Sequence, residues 1–168
     1  GRESYDTELD DPESEEETGI SKGLHVSFVA AGQPIHLFVV HLASERGGHE
    51  QDAQRIAQAS IVRRTYLEYL NRGEHLIVAG DLNDHRGQPA LRRIRGKDDI
   101  YEDLLQTGFA EFFAAAEIDT RWTYQFQGER QQIDPILISR SLKAASRKGG
   151  NKTQVVPVDN QLASDHRA

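Results

Sequence analysis

The chain has 168 residues, a length that fits one domain with its own hydrophobic core. It contains no cysteine, which excludes a disulfide framework and a thiolate metal site, and it has no apolar run long enough to span a membrane. Its net charge is −7, yet residues 1–18 alone hold nine acids against the single base Arg2, so the rest of the chain is close to neutral.

The acidic stretch comes first in the chain and does not predict a packed element. Its bulky side chains are few, so it cannot bury enough apolar surface to offset the entropy lost on ordering. We predict an acidic, flexible segment at residues 1–22, followed by a folded unit at residues 23–168. The near-neutral charge of that folded unit argues neither for nor against a nucleic-acid partner.

A β-hairpin and a long helix are predicted next. Residues 24–30 alternate apolar and polar side chains, and residues 34–42 form a second strand after a short turn at Gly32. His41 lies near the end of this second strand. Apolar side chains then recur at three- and four-residue spacing over residues 50–71, which predicts an amphipathic helix that Gly73 terminates.

A polar run follows the apolar strand predicted at residues 75–79. The run is Gly80-Asp81-Leu82-Asn83-Asp84, and the carboxyl ends of strands are where α/β sheets collect ligands and catalytic groups. Asp81 and Asn83 are two residues apart, so an extended backbone would point both side chains the same way. The run by itself is equally consistent with a polar turn.

The remainder of the chain predicts further helices and strands. A short helix opens at Pro89, an amphipathic stretch covers residues 100–105, and a polar loop is expected at residues 141–151. Two strands at residues 122–126 and 131–139 are joined by a turn that contains Gly128, and a last strand is expected at residues 153–158. This alternation predicts an α/β or α+β fold with a mixed sheet.

Asp134 stands out because it lies in the apolar run Ile133-Asp134-Pro135-Ile136, where an ionised carboxylate is costly unless it has a partner. A protonated histidine would satisfy it and would be held in one orientation by it. An exposed position on an edge strand is the alternative, which Pro135 makes plausible. A lone histidine such as His41 is more often structural than catalytic, and His25 and His36 carry no signal beyond a structural role.

Four short motifs occur in a fixed order along the chain: VVHLAS, GDLND, QIDPILIS and SDH. In that order they resemble the endonuclease/exonuclease/phosphatase superfamily, which has the deoxyribonuclease I-like fold. The resemblance extends over residues 24–166. It implies a four-layer sandwich, with two sheets between helices. Residues 23–168 would supply only its C-terminal part, with a mixed sheet and flanking helices.

The resemblance also implies catalytic roles for five residues. Asp81 matches the aspartate that orients or deprotonates the attacking water, and Asn83 matches the amide that helps to hold the scissile phosphate. His166 matches the histidine that contacts the phosphate, with Asp134 as its orienting partner. His41 falls where many members place a second phosphate-contacting histidine. Positioning and charge neutralisation are what phosphoryl transfer mainly requires, so these residue types suit the reaction.

A divalent cation is implied as well, Mg²⁺ or Mn²⁺, with Asp165 as a carboxylate on the metal side. The family's principal metal-ligating glutamate belongs to an N-terminal half of the domain that does not precede the motifs in this chain. We therefore expect the chain to be the C-terminal portion of a larger enzyme. By itself we expect it to bind the cation poorly and to be nearly inactive.

The function implied is metal-dependent hydrolysis of a phosphoester substrate, as a nuclease or a nuclease-like phosphodiesterase, with nucleic acid among the candidate substrates. Two alternatives stay open: a non-catalytic binding or scaffolding relative of the same fold, and a phosphatase of lipid or inositol phosphates. Trp122, Tyr124 and Phe126 could stack on bases, although an aromatic strand more often belongs to a core.

Overall fold

The computed structural model describes residues 2–4, 22–85, 88–95, 101–103, 122–142 and 166, with only the backbone described for residues 2–4 and 101–103. The strands are β1 (Arg2–Ser4), β2 (Gly23–Ala30), β3 (Gln33–Val40), β4 (His75–Ala79), β5 (Tyr101–Asp103), β6 (Tyr124–Phe126), β7 (Glu129–Gln131) and β8 (Ile136–Ser139). The helices are α1 (Gly48–Asn71) and α2 (Pro89–Arg95), and a 3₁₀ turn at Glu45–Gly47 precedes α1.

Six strands form one mixed sheet in the order β1-β2-β3-β4-β8-β5, and β6 and β7 form a separate hairpin. Strands β3 and β4 pair in parallel, with α1 as the connection between them, while the other pairs of the main sheet are antiparallel. Parallel pairing places the carboxyl ends of β3 and β4 at one edge of the sheet. Because β8 runs antiparallel to β4, the residues that precede β8 arrive at that same edge.

The hydrophobic core lies between the main sheet and the two helices. Phe38 and Val40 of β3 and Leu76 and Val78 of β4 are buried against α1, whose Tyr66 is fully buried. Burying large apolar side chains of this kind contributes roughly 1.5–3 kcal/mol each. No helix in the described part of the chain has the length and the apolar composition to cross a membrane.

Most of the predicted elements are confirmed. The hairpin is β2–β3, the long helix is α1, the strand at residues 75–79 is β4, and the helix that opens at Pro89 is α2. The stretch at residues 100–105 contains an edge strand, β5. Residues 140–142 form a helical turn, whereas residues 143–151 and the strand expected at 153–158 lie outside the described residues. Strand β1 falls within the acidic segment, of which residues 5–21 also lie outside.

One prediction is wrong: residues 131–139 do not form a single strand. Strand β7 ends at Gln131 and β8 begins at Ile136, so Asp134 lies in an irregular segment between two sheets. Pro135 has no amide proton to give to a ladder. The amides of Ile133 and Asp134 donate instead to the Thr123 hydroxyl, at 3.1 and 3.2 Å. Asp134 is therefore neither inside an apolar strand nor on an exposed edge strand.

Gly80 sets how closely β3 and β4 approach at their carboxyl ends. Its φ of +124° lies in a region that side-chain-bearing residues rarely adopt. A Cβ atom at this position would lie 2.2 Å from the Val40 carbonyl oxygen. Both the backbone conformation and the neighbouring strand therefore require glycine here.

Two buried histidines form a structural network at the other end of β4. The His25 and His36 rings are joined at 2.9 Å between Nε2 and Nδ1, and Nε2 of His36 bonds to Glu74. Arg72 donates to Glu74 at 2.9 Å, and this hydrogen bond lowers the pKa of the Glu74 carboxyl. The His36 ring also packs on Tyr69 of α1. The network therefore ties β2, β3 and α1 together, and the structural role expected for His25 and His36 is confirmed.

We expect Gly80→Ala to lower the free energy of unfolding by about 3–5 kcal/mol, because it adds backbone strain and a clash with Val40. Urea denaturation followed by circular dichroism measures the loss. Gly73→Ala is the matched control: Gly73 also has a positive φ, +79°, but open space around it. That change should cost roughly 1–2 kcal/mol from strain alone. Equal losses in the two variants would contradict the close-approach argument.

We expect Glu74→Gln to lower the free energy of unfolding by about 1–2 kcal/mol at pH 7, because the charge-assisted bonds from Arg72 and His36 are weakened. The pKa of Glu74 is lowered in the folded state. The ionised carboxylate therefore stabilises the fold above the unfolded-state pKa, and this stabilisation is lost as pH falls through the folded-state pKa. Denaturation at pH 3 to 7 should show the two proteins converging in acid. Glu68→Gln, at an exposed position of α1, should change little. A loss independent of pH would contradict the assignment.

Candidate functional site

Three chain segments meet at the edge where β3 and β4 end. The Leu42 amide, just after β3, donates to the Asp81 carbonyl at 2.9 Å, and the Leu82 amide, after β4, donates to the Ile133 carbonyl at 3.0 Å. These backbone bonds fix the three loops relative to one another although none of the segments is in a strand there. The site side chains are carried by these loops.

Asp81 and Asn83 are in contact, but a tight turn and not an extended backbone brings them together. Asn83 has a φ of +46°, a conformation that asparagine tolerates better than most residues. Its backbone amide donates to Oδ1 of Asp81 at 2.8 Å, and its side-chain amide donates to Oδ2 of Asp81 at 3.3 Å and to the Leu42 carbonyl at 2.9 Å. Asn83 therefore holds the Asp81 carboxylate in place.

The second acid of the loop, Asp84, has a different role from Asp81. Asp84 is buried, and its Oδ2 accepts hydrogen bonds from the Ala90 and Leu91 amides at 2.8 and 3.0 Å. These are free amides in the first turn of α2, which side-chain oxygens commonly satisfy. Asp84 thus stabilises the start of α2, whereas Asp81 lies in the pocket described below.

Asp134 and His166 form a hydrogen-bonded pair, as the sequence predicts. Nδ1 of His166 lies 3.0 and 3.1 Å from the two carboxylate oxygens of Asp134. With Nδ1 engaged in this way, Nε2 of the same ring faces Asp81, at 3.7 Å from its Oδ2. His41 approaches that same oxygen through Nε2, at 3.5 Å. The Asp81 carboxylate therefore lies between two imidazole rings.

The environment of Asp134 opposes its ionisation. Burial raises the pKa of the Asp134 carboxyl above its ordinary value, while hydrogen bonds from the Thr123 hydroxyl and from His166 act in the opposite direction. The nearby Asp81 carboxylate adds to the upward shift. An ionised Asp134 is therefore held in place at a cost to the folded state, in return for a fixed orientation of His166.

A cavity of about 440 Å³ opens beside these residues. Catalytic candidates, polar loop residues and two aromatic rings line it: His41, Ser44, Glu45, Arg46, Asp81, Asn83, Tyr124, Phe126, Glu129, Gln131, Ile133 and His166. Asp134 lies behind His166 and does not line it. The volume is within the range typical of small-molecule sites.

The donor atoms near the cavity are compatible with a divalent cation held by few protein oxygens. One ligand atom from each of Asp81, Asp134 and His166 lies within 4.8 Å of the others. Both oxygens of Asp134 face the His166 ring, however, so this trio is better described as a hydrogen-bonded Asp134–His166 pair with the Asp81 carboxylate 3.7 Å from the same ring. Mg²⁺ is typically bound by one or two carboxylates plus waters and substrate phosphate, which does not require a closed cage. A second group, Glu45, Asp84 and His85, uses the Asp84 carboxylate that the α2 amides occupy.

The structure brings five of the six site residues of the sequence analysis together: His41, Asp81, Asn83, Asp134 and His166. Asp165 lies outside the described residues.

Sequence reasoning missed Thr123, which holds the Asp134 segment, and Arg46, which lines the cavity. A threonine ahead of an acidic segment carries no spacing signal. Arg46 reaches the cavity only because a loop places it there.

Comparison with known proteins agrees with the motifs. The model of the Endonuclease/Exonuclease/phosphatase family matches residues 4–164, nearly the whole chain. No curated protein sequence matches the chain.

Solved structures with low sequence identity share the fold. The Xenopus laevis APE2 catalytic domain is 16% identical with a TM-score of 0.60, over 88% of this chain and 53% of that one. Truncated Caenorhabditis elegans TDP2 is 20% identical with a TM-score of 0.52, over 70% and 46%. The human nocturnin catalytic domain, solved with a bound sulfate anion, is 18% identical with a TM-score of 0.51, over 70% and 40%.

This chain thus spans about half the length, or less, of each of these structures. The mixed sheet with its helices is the deoxyribonuclease I-like fold that they share. With a family model matched over residues 4–164, the chain belongs to the endonuclease/exonuclease/phosphatase family.

Proposed function

We propose that the protein hydrolyses phosphoester bonds with the help of a divalent cation, as a nuclease or a nuclease-like phosphodiesterase. The observation that carries this proposal is the position of the Asp81 carboxylate between the His41 and His166 rings, with Asp134 behind His166. Membership of a family of phosphoester hydrolases supports the same reaction class.

Asp81 is the proposed base that orients or deprotonates the attacking water. Its side chain is mostly buried, and its two oxygens accept hydrogen bonds from the backbone and the side chain of Asn83. A carboxylate fixed in this way presents its remaining lone pairs in a defined direction, so a water can be held without reorganisation. In this arrangement the side-chain amide of Asn83 donates to Asp81 and to the Leu42 carbonyl, and its amide oxygen is left to accept a hydrogen bond from the attacking water.

His166 and His41 are the proposed contacts to the scissile phosphate. Asp134 accepts a hydrogen bond from Nδ1 of His166, so Nε2 donates to a phosphate oxygen when the ring carries both protons. His41 is about half exposed at the cavity and presents its own Nε2 beside Asp81. Hydrogen-bond donors aimed at oxygens that gain charge in the transition state lower the barrier more than they strengthen substrate binding.

The proposal includes a divalent cation. Asp165, next to His166 in the sequence, is the carboxylate that would hold it. When bound, Mg²⁺ or Mn²⁺ would polarise the phosphoryl oxygen and favour ionisation of the attacking water. The substrate is a phosphoester, with nucleic acid as the leading candidate. The human nocturnin catalytic domain was solved with a bound sulfate anion, so one domain of similar fold binds an anion.

We expect Asp81→Asn to lower kcat/KM by about 10³-fold, because the change removes the proposed base and keeps its shape. The assay is hydrolysis of the p-nitrophenyl ester of thymidine 5′-monophosphate with Mg²⁺ or Mn²⁺, on the chain and on any longer protein that contains it. Glu68→Gln, which also neutralises a carboxylate, at an exposed position of α1 outside the cavity, should leave the rate unchanged. No hydrolysis in either protein with either metal, in wild type and variant alike, would favour a non-catalytic scaffold.

We expect Asp134→Asn to separate activity from stability. Activity should fall by about 100-fold or more, because His166 loses its anionic partner. The pKa of Asp134 is raised in the folded state, so its protonated carboxyl stabilises the fold below the unfolded-state pKa, and this stabilisation is lost as pH rises. The free energy of unfolding of the variant at pH 7 should therefore equal or exceed that of the wild type. The variant's relative stability should therefore increase from pH 3 to pH 7 in denaturant titrations. A loss of stability that grows with pH would show that the ionised pair stabilises the fold.

A further inference from the structure

One wall of the cavity is built from a cation and two aromatic rings. The guanidinium carbon of Arg46 lies 3.3 Å from the centroid of the Phe126 ring and 5.8 Å from that of Tyr124. The guanidinium also donates a hydrogen bond to the Tyr124 hydroxyl. We call this set of three residues the aromatic wall. Trp122, the third aromatic of the predicted strand, is buried and does not line the cavity.

The aromatic wall is rigidly placed beside the catalytic candidates. The Tyr124 ring lies 4.8 Å from the His166 ring, and the two residues share a backbone bridge. The loop that carries Arg46 is anchored from α1: Arg55 donates to the Ser44 carbonyl at 3.1 Å, and Gln58 accepts from the Ala43 amide at 2.8 Å. A ligand at the site would therefore meet a preformed wall.

Within the described residues, no carboxylate lies within ion-pair distance of the Arg46 guanidinium, which is exposed and packs on the Phe126 and Tyr124 rings. Its charge can therefore reach a ligand in the cavity. The carboxylate nearest in sequence, Glu45, faces His85 at 3.5 Å. Phe126 is 39% exposed and lines the cavity, so its ring is within reach of a ligand held beside the catalytic candidates.

We infer that the aromatic wall binds the nucleoside next to the scissile phosphate, with Arg46 contacting the anionic backbone and the base stacking on the part of the Phe126 ring that Arg46 leaves exposed. This inference rests on the proposed function and narrows its substrate to a nucleotide ester or a nucleic-acid strand. Bases and guanidinium groups both stack on aromatic faces, and the guanidinium fork matches two phosphate oxygens. Inositol and lipid phosphates offer no π-face, so this wall would give them no stacking energy.

Binding of three probes tests the inference without requiring turnover. Calorimetry compares deoxyadenosine 5′-monophosphate with ribose 5-phosphate, which lacks the base, and with myo-inositol 1-phosphate. We expect the nucleotide to bind about 10-fold or more tightly than either other probe, as stacking of one base implies. Phe126→Leu should reduce this preference to near unity and leave ribose 5-phosphate binding unchanged. Arg46→Ala should weaken binding of the nucleotide by about 10-fold.

Controls separate binding from folding. Arg92→Ala removes the same charge from an exposed position of α2 that does not line the cavity, and it should change none of the affinities. Arg46→Lys keeps the charge but loses the planar stack, so an intermediate affinity is expected. The thermal unfolding temperature of each variant should match that of the wild-type protein, since the Arg46 and Phe126 side chains are exposed.

Equal affinities for the three probes in the wild-type protein, or a nucleotide preference that survives both Phe126→Leu and Arg46→Ala, would overturn the inference. Tighter binding of myo-inositol 1-phosphate would do the same and would favour a phosphatase of that class. These outcomes are independent of the hydrolysis assay. A failed assay with the base preference intact contradicts the proposed function alone, and hydrolysis without the preference contradicts the aromatic wall alone.

Discussion

The site depends on the parallel pairing of β3 and β4 and on how closely the two strands approach at Gly80. Parallel pairing brings the ends of both strands, and so His41 and Asp81, to one edge of the sheet. Antiparallel pairing of β8 with β4 adds the Asp134 segment at the same edge. A side chain at Gly80 would push β3 away from β4, and the Asp81 oxygen would then lose its position beside His41.

The polar residues at this edge have two tasks, because the strands have ended and their amides need new acceptors. Asp81 accepts from the Asn83 amide, Thr123 accepts from the Asp134 amide, and Asp84 accepts from amides of α2. Buried amides without partners are costly, so each side chain stabilises its own loop as well as any chemistry nearby. The loss of activity in a variant at this edge is therefore informative only when its stability is measured too.

Local pattern explains what the sequence predicts well, and tertiary contacts explain what it misses. Periodicity identifies the β2–β3 hairpin and α1, and the order of the four motifs identifies the family. The break before β8 depends on the Thr123 hydroxyl, a partner ten residues away that no periodicity reveals. The period of two would place Trp122 and Phe126 on one face, yet Trp122 is buried and Phe126 is exposed. The strand here is only Tyr124–Phe126, too short for alternation to decide burial.

The catalytic candidates and the aromatic wall differ in how they are held in place. Asp81, Asp134 and His166 are partly buried, with Asp134 hydrogen-bonded to His166 and Asp81 at ion-pair distance from the same ring. Arg46 and Phe126 of the aromatic wall are exposed, and within the described residues Arg46 packs on the Phe126 ring and donates a hydrogen bond to Tyr124. Substitutions of these two side chains should therefore alter the proposed binding surface at little cost to the fold. Tyr124 is the exception, because its ring contacts that of His166, so a change there would also disturb a catalytic candidate.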